Sequence, residues 1–158
     1  MVSIDTMKAV VLNQESKRIE SEADIQAYLD KLCYALNNNA IITFQQKRGS
    51  DSKKNFRVTN IYTIGELFPN DNPVEALRNE LKKLTVQEYI ETVKDNRFLN
   101  KQEMRVFGRQ YPGFGDVYIK IRVELVNAQI FGNHTIFEMS FHFAEHKFKK
   151  EDFPFRKG

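Results

Sequence analysis

The chain has 158 residues, of which 41% are hydrophobic and 28% charged, and its formal net charge is +3. This length is enough for one domain with its own apolar core. The single cysteine, Cys33, excludes an internal disulfide and favours a reducing compartment. No segment resembles a secretory signal or an apolar run of roughly 18 residues. We therefore expect one domain over residues 1–158, in the cytoplasm and without a membrane partner.

The excess positive charge lies in the last third of the chain. Residues 1–100 contain 14 Lys or Arg and 14 Asp or Glu, so the whole excess falls in residues 101–158. That sign suits a ligand that carries phosphate, although an excess of about three charges is also ordinary for a solvated surface.

The first third predicts a short strand, a helix and a second strand. Residues 7–12 are apolar enough for the first strand. Ser21 is a good helix N-cap, and the helix that it starts should end at the asparagines of positions 37–39. Residues 40–44 are rich in β-formers and predict a buried strand.

The middle of the chain predicts a basic loop, a β-prone segment and two helices. Residues 45–55 form the loop, and residues 56–64 favour a strand. Asn72 followed by Pro73 starts a helix. Residues 85–88 form a capping box that predicts a second helix extending to about residue 95.

Three antiparallel strands end the fold. The first spans residues 104–111, a turn at 112–115 leads into the second at 116–125, and the third spans 136–143. The order of elements predicts an α+β fold with helices packed on one side of a curled antiparallel sheet.

The last two strands alternate apolar and polar residues, so each has one face for the core and one for water. Pairing them as a hairpin places a phenol, cations, a hydroxyl and an imidazole on one surface. These residues are Tyr118, Lys120, Arg122, Glu138, Ser140 and His142.

This set of side chains fits RNA cleavage without a metal. The reaction needs a base for the 2′-hydroxyl, cations where phosphorane charge develops, and an acid for the departing oxygen. His142 suits the proton transfers, because an unperturbed imidazole titrates near ~6.5. Lys120 and Arg122, ~7 Å apart along the strand, can hold phosphates, and Tyr118 can stack on a base or donate to phosphate.

Further RNA contacts are assigned to residues on or beside the same strands, namely Arg105, Arg109, Ser140 and Lys147. No cofactor is expected. The alternative for the hairpin face is a set of cross-strand ion pairs, with Lys120 or Arg122 paired to Glu138 or Glu124.

His142, Glu145 and His146 have the His-x-x-Glu-His spacing of some zinc peptidases. That spacing brings ligands together on a helix. Here it begins in a strand, where His142 and Glu145 would point to opposite faces, so we predict no metal site.

Two sequence runs carry a resemblance to a known family. Leu84-Thr85-x-x-Glu88-Tyr89-x-x-Thr92-Val93 resembles a Leu-Ser-x-x-Asp-Phe-x-x-Ser-Met run of the motility quorum-sensing regulator (MqsR) toxins. Val117-Tyr118-Ile119-Lys120-Ile121-x-Val123 resembles their Val-Tyr-Leu-Lys-Ile-x-Val strand, and Ser140-Phe141 matches their last strand. The similarity covers about residues 84–143, which leaves residues 1–20 as an N-terminal extension and 145–158 as a C-terminal tail.

The resemblance implies a RelE-like fold and a bacterial toxin that cleaves messenger RNA without metal and is restrained by an antitoxin. The family's strand tyrosine falls on Tyr118. Its other functional positions, two lysines and a glutamine, fall on Glu91, His142 and the neighbourhood of Gly108. The alternative is a non-catalytic module that keeps the fold and holds RNA or a protein on the same face.

Overall fold

The computed structural model describes residues 15–44, 56–98, 100, 102–125 and 135–156. Three predictions lie outside the described residues: the strand at 7–12, the basic loop at 45–55 and the turn between the last two strands.

The described residues form an α+β fold of three α-helices and one six-stranded sheet. The helices are α1 (Glu22–Asn37), α2 (Asn60–Leu67) and α3 (Pro73–Leu81). The strands are β1 (Glu15–Arg18), β2 (Ile41–Phe44), β3 (Tyr89–Asp95), β4 (Met104–Tyr111), β5 (Gly115–Leu125) and β6 (Thr135–Phe143).

The sheet has the strand order β1-β3-β4-β5-β6-β2 and does not close. All neighbouring strands are antiparallel except β2, which runs parallel to β6. The predicted strands at 104–111, 116–125 and 136–143 are confirmed as the centre of this sheet. The strand at 40–44 is confirmed in position, but it is an edge strand with Ile41 and Thr43 exposed.

The three helices cover one face of the sheet, as predicted. Ile25 and Leu32 of α1 and Leu77 of α3 pack with Phe107 and Ile119 from the centre of the sheet, and all five are almost fully buried. Burying aliphatic and aromatic side chains of this size contributes roughly 1.5–3 kcal/mol each. The opposite face of the sheet carries no α-helix from the described residues, and we call it the open face.

The helix starts follow the predicted caps. The Ser21 hydroxyl accepts the backbone N–H of Asp24 at 3.1 Å. The Asn72 side chain accepts the N–H groups of Val74 and Glu75 at 3.0 and 3.2 Å, with Pro73 at the first helical position. These contacts satisfy amides that have no partner within the helix.

The helix predicted after the capping box at Thr85 is wrong. The box is present, since Glu88 accepts the backbone N–H of Thr85 at 3.0 Å, but it closes only one turn of 3₁₀ helix. Tyr89 then begins β3. The segment is rich in β-branched and aromatic residues. Its hydrogen bonding to β1 on one side and to β4 on the other outweighs the local helix signal.

The strand predicted at 56–64 is also wrong. Residues 56–58 form a 3₁₀ turn, and Thr59 then caps α2 by accepting the N–H of Tyr62 at 3.4 Å. Gly65 lies inside this helix. Helix α2 packs on β6, where the Thr63 hydroxyl accepts the N–H of Phe143 at 2.8 Å.

The two ends of the described chain belong to the fold. Residues 15–18 of the N-terminal extension form edge strand β1. The C-terminal tail is held by its phenylalanines. Phe148 packs edge-on against Phe153 with ring centroids 5.5 Å apart, and Phe155 stacks on Tyr89 at 5.9 Å.

Candidate functional site

The open face presents the predicted polar residues of β5 and β6 side by side. Tyr118 is opposite His142, Lys120 is opposite Ser140, and Arg122 is opposite Glu138. All six side chains are half-buried, while the alternate residues of both strands point into the helix-covered core. The alternation in the sequence therefore located this surface correctly.

Tyr118 and His142 form the centre of the site. Their ring centroids are 6.1 Å apart, with the planes tilted by 47°. The Nδ1 atom of His142 lies 3.0 Å from the carbonyl oxygen of Phe143. A carbonyl only accepts, so this contact favours the proton on Nδ1 and leaves Nε2 of the neutral ring as a proton acceptor.

The Tyr118 hydroxyl is kept protonated. Its partial burial, and then the negative charges of Asp152 and Glu91, raise the pKa of Tyr118 above its ordinary value. At neutral pH the phenol is therefore a hydrogen-bond donor.

Arg122 lies at the far end of the site. It is four positions along β5 from Tyr118, or ~13 Å. Its Nη2 atom is 3.7 Å from Glu138 Oε1 and 3.8 Å from the sulfur of Met104. The buried Nε has no hydrogen-bond partner among the described residues. The cross-strand pair that the sequence analysis gave as an alternative is therefore present for Arg122 and Glu138.

Arg105 and Arg109 do not belong to this surface. Their register partners on β5 are Ile121 and Val117, which places both on the helix-covered face. Arg105 donates to Glu20 at 3.0 and 3.2 Å, and Arg109 donates to Glu88 at 2.7 and 2.8 Å. These half-buried guanidinium groups join the sheet to α1 and α3, and the structure does not bring them together with Tyr118.

A groove of about 180 Å³ runs over the open face from β1 to β5. Its floor is Val93, Met104 and Val106, and its walls are Glu15, Lys17, Glu91, Tyr118 and Lys120. Neither β1 nor the place of Glu91 on the open face was predicted, because residues 85–95, which include the partner of β1, were assigned to a helix. Lys17 Nζ lies 3.5 Å from Glu91 Oε1, so the groove wall carries both signs of charge.

The tail reaches the open face at Phe148. Its ring packs edge-on against Tyr118 with centroids 4.8 Å apart. It also lies over Gly108, where a Cβ atom would come within 2.7 Å of the Phe148 ring. The backbone N–H of Phe148 donates to Asp116 at 2.8 Å. Glycine at 108 thus allows the tail to contact the catalytic candidate Tyr118.

A second depression, of about 230 Å³, lies at the start of β5. It is lined by Arg57, Gly115, Asp116, Ala144, His146 and Lys147. Lys147, one of the predicted RNA contacts, is exposed and lines this depression, whereas Ser140 lies beside Lys120 on the open face.

The His-x-x-Glu-His spacing falls across the end of β6. His142 is in the strand, whereas Glu145 and His146 are exposed in the turn that follows it. In the described ranges, no group of three or more His, Cys, Asp or Glu side chains is placed to hold a metal ion.

None of the helices α1 to α3 has the length and apolarity that crossing a membrane would require. Comparison with protein-family models, with curated proteins and with solved structures finds no match to this chain.

Proposed function

We propose that this protein is the toxin of a bacterial toxin–antitoxin pair and that it cleaves messenger RNA on the open face without a metal ion. The observation that carries the proposal is the pairing of Tyr118 with His142, next to Lys120, on one solvent-facing surface. The resemblance of residues 84–143 to the MqsR toxins supports the same function and a RelE-like fold, a cytoplasmic setting and a cognate antitoxin as partner.

The proposed reaction uses the 2′-hydroxyl of the RNA as nucleophile. Nε2 of His142 accepts the hydroxyl proton, and the 2′-oxygen forms a bond to the adjacent phosphorus. Lys120 stabilises the charge that develops on the phosphorane oxygens. The P–O5′ bond breaks, and the phenol of Tyr118 donates its proton to the departing oxygen. The products are a 2′,3′-cyclic phosphate and a 5′-hydroxyl, with no water or metal consumed.

The remaining residues of the face position the RNA. Arg122 is ~7 Å from Lys120 along β5, a spacing that suits a neighbouring phosphate. The hydroxyl of Ser140 is opposite Lys120 and can donate to the sugar–phosphate backbone. The groove beside Tyr118 has an apolar floor that suits one unstacked base.

A second candidate function is supported by three contacts. Arg122 is paired with Glu138, Glu91 adds negative charge to the groove, and Phe148 covers part of Tyr118. The two carboxylates weaken the attraction of the face for phosphate, and Phe148 reduces the access of RNA to Tyr118. They favour a non-catalytic module that holds RNA or a protein on the open face.

The test combines expression with cleavage of purified RNA. Expression of the wild-type protein should arrest growth, and the purified protein should cleave RNA in the presence of a chelator. Tyr118→Phe and His142→Ala should each lower the cleavage rate by at least about a hundredfold, because each removes a proton-transfer group. Tyr34→Phe, at an exposed position of α1 on the helix side, is the matched control.

The outcomes separate the two functions. Arrest and cleavage unchanged by both site variants, with folding retained, would remove the proposed site. Retained RNA binding with no cleavage by the wild-type protein would establish the non-catalytic module.

A further inference from the structure

The second depression, at the start of β5, gathers three nitrogen-bearing side chains from separate parts of the chain. Arg57 comes from the turn before α2, and His146 and Lys147 come from the segment after β6. His146 and Lys147 are exposed. Guanidinium, ammonium and imidazole groups all donate hydrogen bonds, and together they suit an anion.

The Arg57 guanidinium is fixed in place before any ligand arrives. Its Nη2 donates to the carbonyl oxygen of Phe114 at 2.7 Å, and the guanidinium lies 4.3 Å from the centre of the Phe143 ring. Gly115 has a φ of 143°, and a Cβ atom there would come within 3.1 Å of Arg57 Nη2. A side chain at 115 would crowd this guanidinium, so glycine keeps the depression open.

Among the described residues that line the depression, Asp116 is the one carboxylate, and it has a structural role. Asp116 accepts the backbone N–H of Phe148 at 2.8 Å, and its carbonyl oxygen accepts the N–H of Ala144 at 2.8 Å. These bonds fix the segment that carries Lys147. The negative charge of Asp116 nevertheless repels an anion. Removing this charge should therefore strengthen anion binding, an effect that a purely structural role of Asp116 would not produce.

The depression lies where β5 begins and β6 ends, next to the open face. Arg57 reaches it from the helix-covered side, where its guanidinium lies over Phe143, and Lys147 reaches it from the segment that leads to Phe148 on the open face. Asp116 is two residues before Tyr118, and Ala144 is two residues after His142, so each is ~7 Å along its strand from the central pair. That distance corresponds to about one nucleotide step of an extended strand. An RNA strand that crosses Tyr118 and His142 and continues over the ends of β5 and β6 would bring its next phosphate to this depression.

We propose that the depression lined by Arg57, His146 and Lys147 is a phosphate-binding subsite for the RNA strand, one nucleotide beyond the Tyr118–His142 pair. The inference rests on the proposed function, because it takes RNA as the ligand of the open face. The subsite adds affinity and fixes the position of the RNA strand along the open face. It takes no part in the proton transfers.

The test measures the affinity of a short single-stranded RNA with 2′-O-methyl groups, which cannot be cleaved, over a range of salt concentrations. Removing one phosphate contact should lower the slope of log K against log salt by about 0.7 and the affinity by about threefold at moderate salt. Lys147→Gln and Arg57→Gln should both show this loss. Arg57→Lys should keep most of the affinity, because the charge remains.

Two further variants make the result specific. Asp116→Asn keeps an acceptor for the tail and removes the opposing charge, so it should tighten RNA binding. Lys31→Gln, at an exposed position of α1 on the helix side, should change neither the affinity nor the slope.

The failure of this inference differs from the failure of the proposed function. RNA binding that Lys147→Gln and Asp116→Asn leave unchanged would overturn the subsite and leave cleavage at Tyr118 and His142 untouched. Binding that shifts as expected, in a protein that cleaves no RNA, would support the subsite and refute the nuclease. If the wild-type protein does not bind RNA at all, both proposals are overturned.

Discussion

At the scale of single residues, Glu20 is a buried charge held by several hydrogen bonds. It lies where β1 leads into α1 and is only 9% exposed. Its Oε2 accepts the Thr92 hydroxyl at 2.6 Å and Arg105 Nε at 3.0 Å. The backbone N–H of Glu20 donates to the Tyr89 hydroxyl at 3.1 Å. This network joins the first strand and helix to the sheet.

The charge on Glu20 makes stability depend on pH. Burial opposes the charge, but hydrogen bonds from Arg105 and Thr92 and the positive charges of Arg105 and Arg18 outweigh burial and lower the pKa of Glu20 below its ordinary value of 4.5. A carboxyl group with a lowered pKa in the folded state stabilises that state above the ordinary pKa. The stabilisation is lost as the pH falls through the lowered value.

Glu20→Gln should therefore reduce the free energy of unfolding by about 2 kcal/mol at pH 7, because it leaves a half-buried guanidinium without its counter-charge. The difference from the wild-type protein should shrink as the pH falls below 4.5, where Glu20 itself becomes neutral. Urea unfolding between pH 3 and pH 7 measures both effects. Glu66→Gln, at an exposed position of α2, is the matched control. A difference that stays constant over this pH range would contradict the argument.

At this scale the sequence predicted a surface better than it predicted individual contacts. Strict alternation in β5 and β6 placed Tyr118 and His142 correctly on one face. Arg105 and Arg109 were assigned to the same site because β4 has no clean alternation: Val106 and Phe107 are adjacent, and both are buried. Only the register with β5 shows that both arginines face the helices.

At the scale of elements, the contact between β4 and the tail depends on the absence of a side chain at Gly108. Phe148 lies over Gly108 and against Tyr118, and Ile90 of β3 closes the other side, 3.0 Å from where a Cβ of residue 108 would be. The described part of the tail, up to residue 156, contains one 3₁₀ turn (Lys150–Asp152) and no strand, so its position depends on such contacts.

Gly108→Ala should displace the Phe148 ring and lower the free energy of unfolding by about 1–3 kcal/mol, because the added methyl overpacks the contact. The matched control is Gly65→Ala. Nothing lies within 4 Å of the Cβ position at Gly65, so alanine should instead stabilise α2 by about 0.5–1 kcal/mol.

Denaturant unfolding of both glycine variants and a comparison of tail proteolysis would test this pair. A Gly108→Ala protein with wild-type stability and an equally protected tail would show that the tail adjusts without cost.

The elements that the sequence misassigned share one physical cause. Thr85 and Glu88 make the predicted capping box, and the helix signal is locally correct for a single turn. A strand between β1 and β4 gains hydrogen bonds on both sides, and a local motif cannot report that gain. The helices that begin at Ser21 and Asn72 were predicted correctly, because their caps are followed by apolar stripes that the core buries.

At the scale of the whole molecule, the sheet has a well-protected centre and two weak edges. Strand β5 is bonded along both sides, and Val117, Ile119 and Ile121 are fully buried. Edge strand β1 has four residues, all of them exposed. Local opening requires little free energy where few apolar contacts must be broken.

Amide hydrogen exchange should therefore be slowest in β5 and its neighbours and fastest in β1. Native-state exchange followed by mass spectrometry or NMR measures the difference directly. Exchange in β1 as slow as in β5 would contradict this order, and it would indicate that the edge is covered by another chain.

The parallel pairing of β2 with β6 also affects how the chain folds during its synthesis on the ribosome. Ile41 pairs with Ile136, and Glu15 of β1 pairs with Asp95, so neither early strand has a partner until much later segments have been synthesised. The apolar stripe of α1 stays uncovered during that interval, and long-range pairings of this kind form slowly. A nascent chain of this topology therefore needs a chaperone more than a chain of local hairpins does, and the surface holding the imidazole and the phenol is synthesised only with the last third of the chain.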